Sequence, residues 1–345
     1  MDENSNYYIK EIEDETHNKH NVFYVNKNIT INKKMLKEME KYNCKILEFF
    51  DKFNKPIENL PSNIQNIVFG SNFNQCVDSL YVSNPNRIQN ALKNLTFGYW
   101  FNQPVDNLPT GLLNLTFGGR FNQSVDNLPS NIQNIVFGNN FNQSVDKLPS
   151  NLINLNFGHD FNKAVDNLPP KTKYILFGNN FNQSIDNLPS EIKELYFGNS
   201  FNQPVDNLPN GVKILAFGWN FNQPVDNLPS TIQTLSFGNK FNQSVDNLPI
   251  PTSLEKGLQN LTIGGDEFNR PINNLPSSIQ KLVLGDEFNQ QIYNLPSELK
   301  ILCFGEEFNQ PLCDYIPRGL KELYLSKNYN KSLNNLPTSV KVIRI

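Results

Sequence analysis

Few residues in this chain are of a type that does chemistry. Histidine, the side chain best suited to proton transfer and metal binding near neutral pH, occurs only at His17, His20 and His159. His17 and His20 have metal-pair spacing, but they sit in a polar stretch read as lacking the cysteine or carboxylate company of a closed site. No Ser-His-Asp set, phosphate-cradling glycine loop or isolated pair of buried carboxylates is apparent. The expectation is a protein without catalytic residues, metal or cofactor.

Acidic residues are more regular. Asp78, Asp106, Asp126, Asp146, Asp166, Asp186, Asp206, Asp226 and Asp246 form a column, each ahead of Asn-Leu-Pro or a close variant. The reading is a local turn in which the carboxylate bonds the following backbone. A calcium strip is the alternative, but calcium needs 6–8 converging oxygens and one carboxylate per repeat supplies too few. Asp266-Glu267, Asp286-Glu287 and Glu306-Glu307 differ from these. They pair acids at three successive corners where earlier copies carry Asn, Ser, Gly or Lys. This acidic rim is read as either a solvated edge or a contact for a basic segment of a partner.

The elements that hold these residues follow from a repeat. A Phe-Asn corner recurs from Phe53 to Phe308, spaced by 20 residues without a slip between Phe101 and Phe241, and Tyr329-Asn330 is an altered last copy. A fixed short period means a solenoid whose units bury their apolar faces only by stacking. In the copy Leu128–Val145 the apolar set is Leu128, Ile132, Ile135, Phe137, Phe141 and Val145. Ile135-Val136-Phe137 reads as a short strand with two residues inward and one outward. Twenty residues cannot hold a strand, two corners and an ordinary helix, so the return path is extended, as Leu128-Pro129 favours. Gly138 is expected at a backbone angle unfavourable to other residues. Asn142 is expected to satisfy backbone groups at the turn, stacking into an asparagine ladder beside two phenylalanine ladders.

This pattern resembles the FNIP repeat, a short relative of the leucine-rich repeat, over residues 47–345. The segment Ile132–Phe137 is similar to the L-x-x-L-x-L strand of leucine-rich repeats, with Phe141-Asn142 in place of the usual N-x-L. The resemblance implies a mainly β repeat solenoid: a right-handed arc with a parallel β-sheet on its concave face and extended or polyproline-like return segments. It also implies binding rather than catalysis, and a source among amoebae or their giant viruses. Several relatives carry an N-terminal F-box that recruits a ubiquitin ligase.

The 345 residues carry a net charge of −3, which gives no electrostatic case for nucleic acid or an anionic membrane. No apolar run reaches the ~20 residues of a membrane span, and Met1–Tyr7 lacks the basic and apolar regions of a secretory leader. Cys44, Cys76, Cys303 and Cys313 have neither zinc nor redox spacing, so a reduced intracellular setting is expected, the host cytoplasm if the source is viral. Cys44 occupies an isoleucine slot and is read as core.

Residues 1–46 are expected to form a capping segment, and 47–345 about 14 repeats with insertions at 81–91 and 250–257. Within the cap, residues 1–20 read as frayed, 22–25 and 29–31 as short strands, and 32–42 as an amphipathic helix. An F-box is not visible there, because an opening Leu-Pro and several apolar helical turns are missing.

One row of outward strand residues is monotonous in the first half: Asn66, Asn94, Asn114, Asn134 and Asn154. It changes to Tyr174 with Leu176, Glu194 with Tyr196, and Ile214 with Ala216, with Trp219 just beyond a glycine. Exposed aromatic and aliphatic groups on adjacent strands mark a partner site, and Tyr and Trp are enriched among hot spots. Cross-strand packing alone would also place them so. The expected function is a monomeric, non-enzymatic scaffold. It would bind a protein through Tyr174, Leu176, Tyr196, Ile214 and Trp219, helped by the rim at Asp266, Glu267, Asp286, Glu287, Glu306 and Glu307. The alternative is the substrate-recognition subunit of an F-box ubiquitin ligase with a degenerate or missing F-box.

Overall fold

The computed structural model describes residues 6–14, 17–81, 91–250, 257–312, 315–334 and 336–345. The chain forms two compact units, Met1–Thr172 and Lys173–Ile345. Most of both expected insertions, and Cys313, lie outside the described residues.

Unit 1 begins with a hairpin of β1 (Tyr7–Glu13) and β2 (Lys19–Val25), then helix α1 (Lys33–Lys41). The polar composition of this segment argued for fraying, yet β1 pairs antiparallel with β2 from Tyr7↔Val25 to Glu13↔Lys19. Two stacked cross-strand aromatic pairs hold it, Tyr7–Phe23 at 5.1 Å and Tyr8–Tyr24 at 4.7 Å. Residues 29–31 are not a strand; Ile29 N–H closes a tight turn onto the Lys27 carbonyl at 2.9 Å. Asn32 caps α1, its Oδ1 accepting from the N–H groups of Lys34 and Met35, while Met35 and Met39 are buried. His17 and His20 do have carboxylate company, on Glu13 at 2.6 Å and Asp14 at 2.8 Å. These are two separate exposed pairs, and no cluster of three metal-ligating side chains exists among the described residues.

From β2 onward the strands of unit 1 are parallel: β3 (Ile46–Phe49), β4 (Asn66–Val68), β5 (Asn94–Thr96), β6 (Asn114–Thr116), β7 (Asn134–Val136) and β8 (Asn154–Asn156). Unit 2 repeats the arrangement with β9 (Tyr174–Leu176), β10 (Glu194–Tyr196), β11 (Ile214–Ala216), β12 (Thr234–Phe237), β13 (Asn260–Ile263), β14 (Lys281–Leu284), β15 (Ile301–Cys303), β16 (Glu322–Leu325) and β17 (Lys341–Arg344). These too pair parallel, in register, each with the next. Each unit is therefore a mainly β solenoid, with irregular returns between its strands.

Two turns of the i→i+3 kind recur along the rungs: Phe141 N–H to the Gly138 carbonyl at 3.3 Å, and Ile132 N–H to the Pro129 carbonyl at 3.3 Å. Inside, Phe137 stacks on Phe141 at 3.8 Å, Phe117 on Phe137 at 5.6 Å, and Phe121 on Phe141 at 6.0 Å. The two phenylalanine ladders expected from the spacing are therefore present. The corner asparagine acts between rungs: Asn122 Oδ1 accepts from the Asn142 N–H at 2.9 Å and from Gln143 Nε2 at 3.1 Å. The N-terminal segment supplies an earlier member of this ladder, Asn28 Oδ1 accepting from the Asn54 N–H at 2.9 Å.

Two local expectations need correction. No glycine among the described residues has positive φ. A Cβ on Gly138 would instead lie 1.9 Å from the carbonyl oxygen of Gly118 in the rung before, so the residue is small because rung backbones touch there. The aspartate column also bonds differently. Asp106 Oδ1 accepts from Asn127 Nδ2 at 3.0 Å, and Asp146, Asp186, Asp206 and Asp226 accept in the same way from Asn167, Asn207, Asn227 and Asn247. The carboxylate thus ties one rung to the next, while its other oxygen at Asp146 and Asp186 accepts from the serine two residues before it in the same turn. Bonds from Asn167 and Ser144 hold the Asp146 carboxyl below its usual pKa.

Candidate partner-binding site

Parallel register places the outward residues of unit 2 in two columns. Tyr174, Glu194, Ile214 and Thr234 face one another along the first, and Leu176, Tyr196, Ala216 and Ser236 along the second. Inward Ile175, Leu195 and Leu215 are fully buried, so alternation fixes which side chains reach the open face. The Tyr174 and Tyr196 rings meet across the columns, centroids 5.4 Å apart and tilted by 41°. Leu176 is 36% exposed, and Tyr174, Tyr196 and Ile214 are half-buried. The structure thus places four of the five sequence-selected residues on neighbouring strands of one face, the two tyrosine rings against each other and all four partly open to solvent.

Polarity within the patch is arranged around Glu194. The Tyr196 hydroxyl donates to Glu194 Oε2 at 3.0 Å. Partial burial, then this bond and the carboxylate charge, push the Tyr196 phenol up to about 12. Burial, with Glu194 second, raises Tyr174 as well. Both phenols stay neutral donors across the ordinary pH range.

Trp219 stands apart, in the corner beyond Gly218. Its backbone N–H donates to Asn199 Oδ1 at 3.4 Å, and its indole is 49% exposed with no ring neighbour among the described residues. The acidic rim occupies the same kind of corner further along. All six carboxylates lie on exposed residues. Asp266 accepts from Asn239 Nδ2 at 2.7 Å and Asp286 from the Glu306 N–H at 3.3 Å. No basic side chain pairs with any of the six among the described residues. Rungs lie roughly 5 Å apart, so like charges stack without neutralisation.

Two features escaped the sequence reading. Glu322-Leu323-Tyr324 repeats the Glu194-Leu195-Tyr196 arrangement on β16, with the Tyr324 hydroxyl donating to Glu322 Oε2 at 2.8 Å. The recurring E-L-Y tripeptide was the available signal. The other is in unit 1, where Tyr99 and Trp100 are both about half exposed beside Arg120. There Gly-Tyr-Trp and Gly-Gly-Arg replace the common Gly-Asn-Asn. Cys44, by contrast, is buried as expected, and burial pushes its thiol up to about 11.

Stacked short rungs, each one parallel strand with an irregular return, define a leucine-rich-repeat-like solenoid. The chain belongs to the FNIP repeat family, whose model matches residues 53–80, 144–180, 161–200, 181–207, 201–240, 268–307, 288–325 and 308–345. Among solved structures it is similar to CroV588 of the giant virus CroV, described as a novel circular LRR protein. The identity is 30% and the TM-score 0.64, over 96% of this chain and 56% of that one. The chain thus spans little more than half the length of that relative. YopM from Yersinia enterocolitica WA-314 aligns at 15% identity and TM-score 0.44, over 88% of this chain and 80% of that one. No curated protein matches the sequence. No helix among the described residues is long and apolar enough to cross a membrane.

Proposed function

We propose that the protein is a non-enzymatic interaction scaffold that holds a protein ligand on the open sheet face of β9–β11. The observation that carries this reading is the Tyr174–Tyr196 pair beside Leu176. A parallel sheet normally has both faces covered, and apolar side chains on an uncovered one are anchor points for a partner. Tyr174, Leu176, Tyr196 and Ile214 form the anchor, and Trp219 extends it at the corner. The unpaired acids at 266–307 favour a ligand with a basic stretch and speed its arrival, an effect that salt weakens.

The test is a photo-crosslinking residue placed at Leu176 and, as a control, at Asp206 on the return side, in native cell extract. The reading expects a discrete protein adduct from position 176 only, reproduced with the purified partner. It also expects the adduct to disappear with Tyr196→Ala while the fold is kept. Adducts equal from both positions, or indifferent to Tyr196→Ala, would sink it.

A further inference from the structure

Unit 1 carries a second candidate site, unrelated to the sheet face. An open groove of about 730 Å³ runs along its corners, lined by Asn74, Asn102, Asn122, Asn142, Trp100 and Arg120, and bounded by Asn140 and Asp160. Two columns build it. One holds the residues just before the buried corner phenylalanines, Trp100 and Arg120 among them; the other holds the asparagines just after.

The asparagines are oriented unambiguously. Asn74 Oδ1 accepts from the Asn102 N–H, Asn102 Oδ1 from the Asn122 N–H, and Asn122 Oδ1 from the Asn142 N–H, all at 2.9 Å; Asn142 Oδ1 accepts from the Asn162 N–H at 3.0 Å. An N–H cannot donate to an amide nitrogen, so in each case Nδ2 is the free end. None of these four Nδ2 groups has a protein acceptor among the described residues. The groove therefore presents a row of amide donors at the rung spacing of roughly 5 Å.

Arg120 adds more donors in a fixed plane. Its guanidinium lies 5.0 Å from the centre of the Trp100 ring and 5.8 Å from that of Tyr99, and Trp100 meets Tyr99 edge-on at 5.2 Å. The indole is still 50% exposed. Asp160 brings a negative charge into the same groove, so a polyanion meets repulsion there as well as the attraction of Arg120. An extended peptide directs carbonyls to one side only every second residue, roughly 7 Å, out of step with the donor row. A chain of sugar rings suits the row better. Each ring brings hydroxyl and ring oxygens to accept from amides, and a flat C–H face to lie on an aromatic ring.

The geometry points to a binding site for a neutral oligosaccharide, with Trp100 as the stacking platform and Arg120 and the four asparagine amides as donors. Since the chain has two tryptophans, Trp219→Phe leaves Trp100 as the sole reporter of indole emission. This variant is titrated with cellohexaose, chitohexaose and maltohexaose, and with oligo(dT) and heparin as anionic competitors. At least one hexasaccharide is expected to shift the emission with saturation below about 10 mM. Asn122→Asp keeps the oxygen that accepts from Asn142 and removes the donor. It should weaken that binding by about tenfold or more, with an unchanged circular dichroism melt. Asn202→Asp makes the same change in unit 2, outside the groove, and should leave binding unaltered. The inference is overturned if no hexasaccharide saturates, if only oligo(dT) or heparin binds, or if Asn122→Asp and Asn202→Asp have equal effects.

Discussion

The open sheet faces of the two units share a backbone and differ in how they use it. On β4–β8 the first outward column is a closed chain of amides: Asn94 Nδ2 donates to Asn66 Oδ1 and Asn154 Nδ2 to Asn134 Oδ1, each at 2.5 Å, with Asn114 and Asn134 linked in the same way between them. Such a ladder spends its hydrogen-bonding capacity on itself. A partner laid on it would strip water from groups with little left to offer. On β9–β11 the same column holds Tyr174, Glu194 and Ile214, which cannot pair reciprocally along the sheet. What the rung core does not dictate is thus free to vary, and the outward columns of the two units vary in opposite ways.

The comparison fails if the cores themselves differ, and glycine tests this hardest. A Cβ on Gly138 in unit 1 would lie 1.9 Å from the Gly118 oxygen, and one on Gly218 in unit 2 2.3 Å from the Gly198 oxygen. Neither neighbour can retreat, because both are backbone atoms packed on a further rung. Gly138→Ala and Gly218→Ala should each cost about 3 kcal/mol or more, measured by chemical denaturation. A loss confined to one variant would show that the rungs are not equivalent.

Next in size is the corner asparagine. Asn122→Leu removes the acceptor of the Asn142 N–H in unit 1, and Asn202→Leu that of the Asn222 N–H in unit 2. Each should destabilise by about 1–3 kcal/mol, the cost of a half-buried donor left unpaired. Asn→Asp at the same places should cost much less. If Leu and Asp proved equal, the ladder would not depend on the side-chain oxygen.

These cores were legible in the sequence because twenty-residue spacing forces identical residues to stack, so Phe137, Phe141 and Asn142 could be placed from their period alone. The close approach at Gly138 was not, since a period shows that a residue is small without showing what it touches. The Asp–Asn tie was missed for a related reason: Asp106 and Asn127 are 21 residues apart, neighbours only after stacking. The β1–β2 hairpin was hidden by composition, which undervalues aromatic pairs formed across strands. On the candidate patch, sequence gave the column positions of Tyr174, Leu176, Tyr196 and Ile214 but not the tilt of one ring onto another. It gave no sign that Trp219 would stand alone.

A smaller effect concerns the core column that both units share. Thr172 occupies the position held by Ile132 and Leu152 in unit 1 and by Ile192 and Val212 in unit 2, and it is fully buried with its Oγ1 unpartnered. Thr172→Val keeps the shape and removes the stranded hydroxyl. It should stabilise the chain by about 1 kcal/mol or somewhat more. A neutral or destabilising result would mean that the hydroxyl has a partner in solution.

The smallest effect is electrostatic and separates β9–β11 from β4–β8, since no phenol stands in the corresponding outward columns of β4–β8. Burial, and then the Glu194 carboxylate, raise the Tyr196 phenol to about 12, against an ordinary value of about 10. The folded state holds that proton more tightly than the unfolded chain does. Its contribution to stability is therefore complete below about pH 10 and is lost as the pH rises from there towards 12. Tyr196 is only half-buried, so solvent screens the interaction, the stability change itself is slight and the titration is the better readout. Ultraviolet phenolate absorbance of the wild type minus that of Tyr196→Phe should show one group titrating near 12. Glu194→Gln removes the charge and should bring that midpoint down towards the ordinary value. A midpoint unmoved by Glu194→Gln would detach Tyr196 from Glu194, and with it the claim that the patch keeps a neutral phenol donor poised beside its apolar anchors.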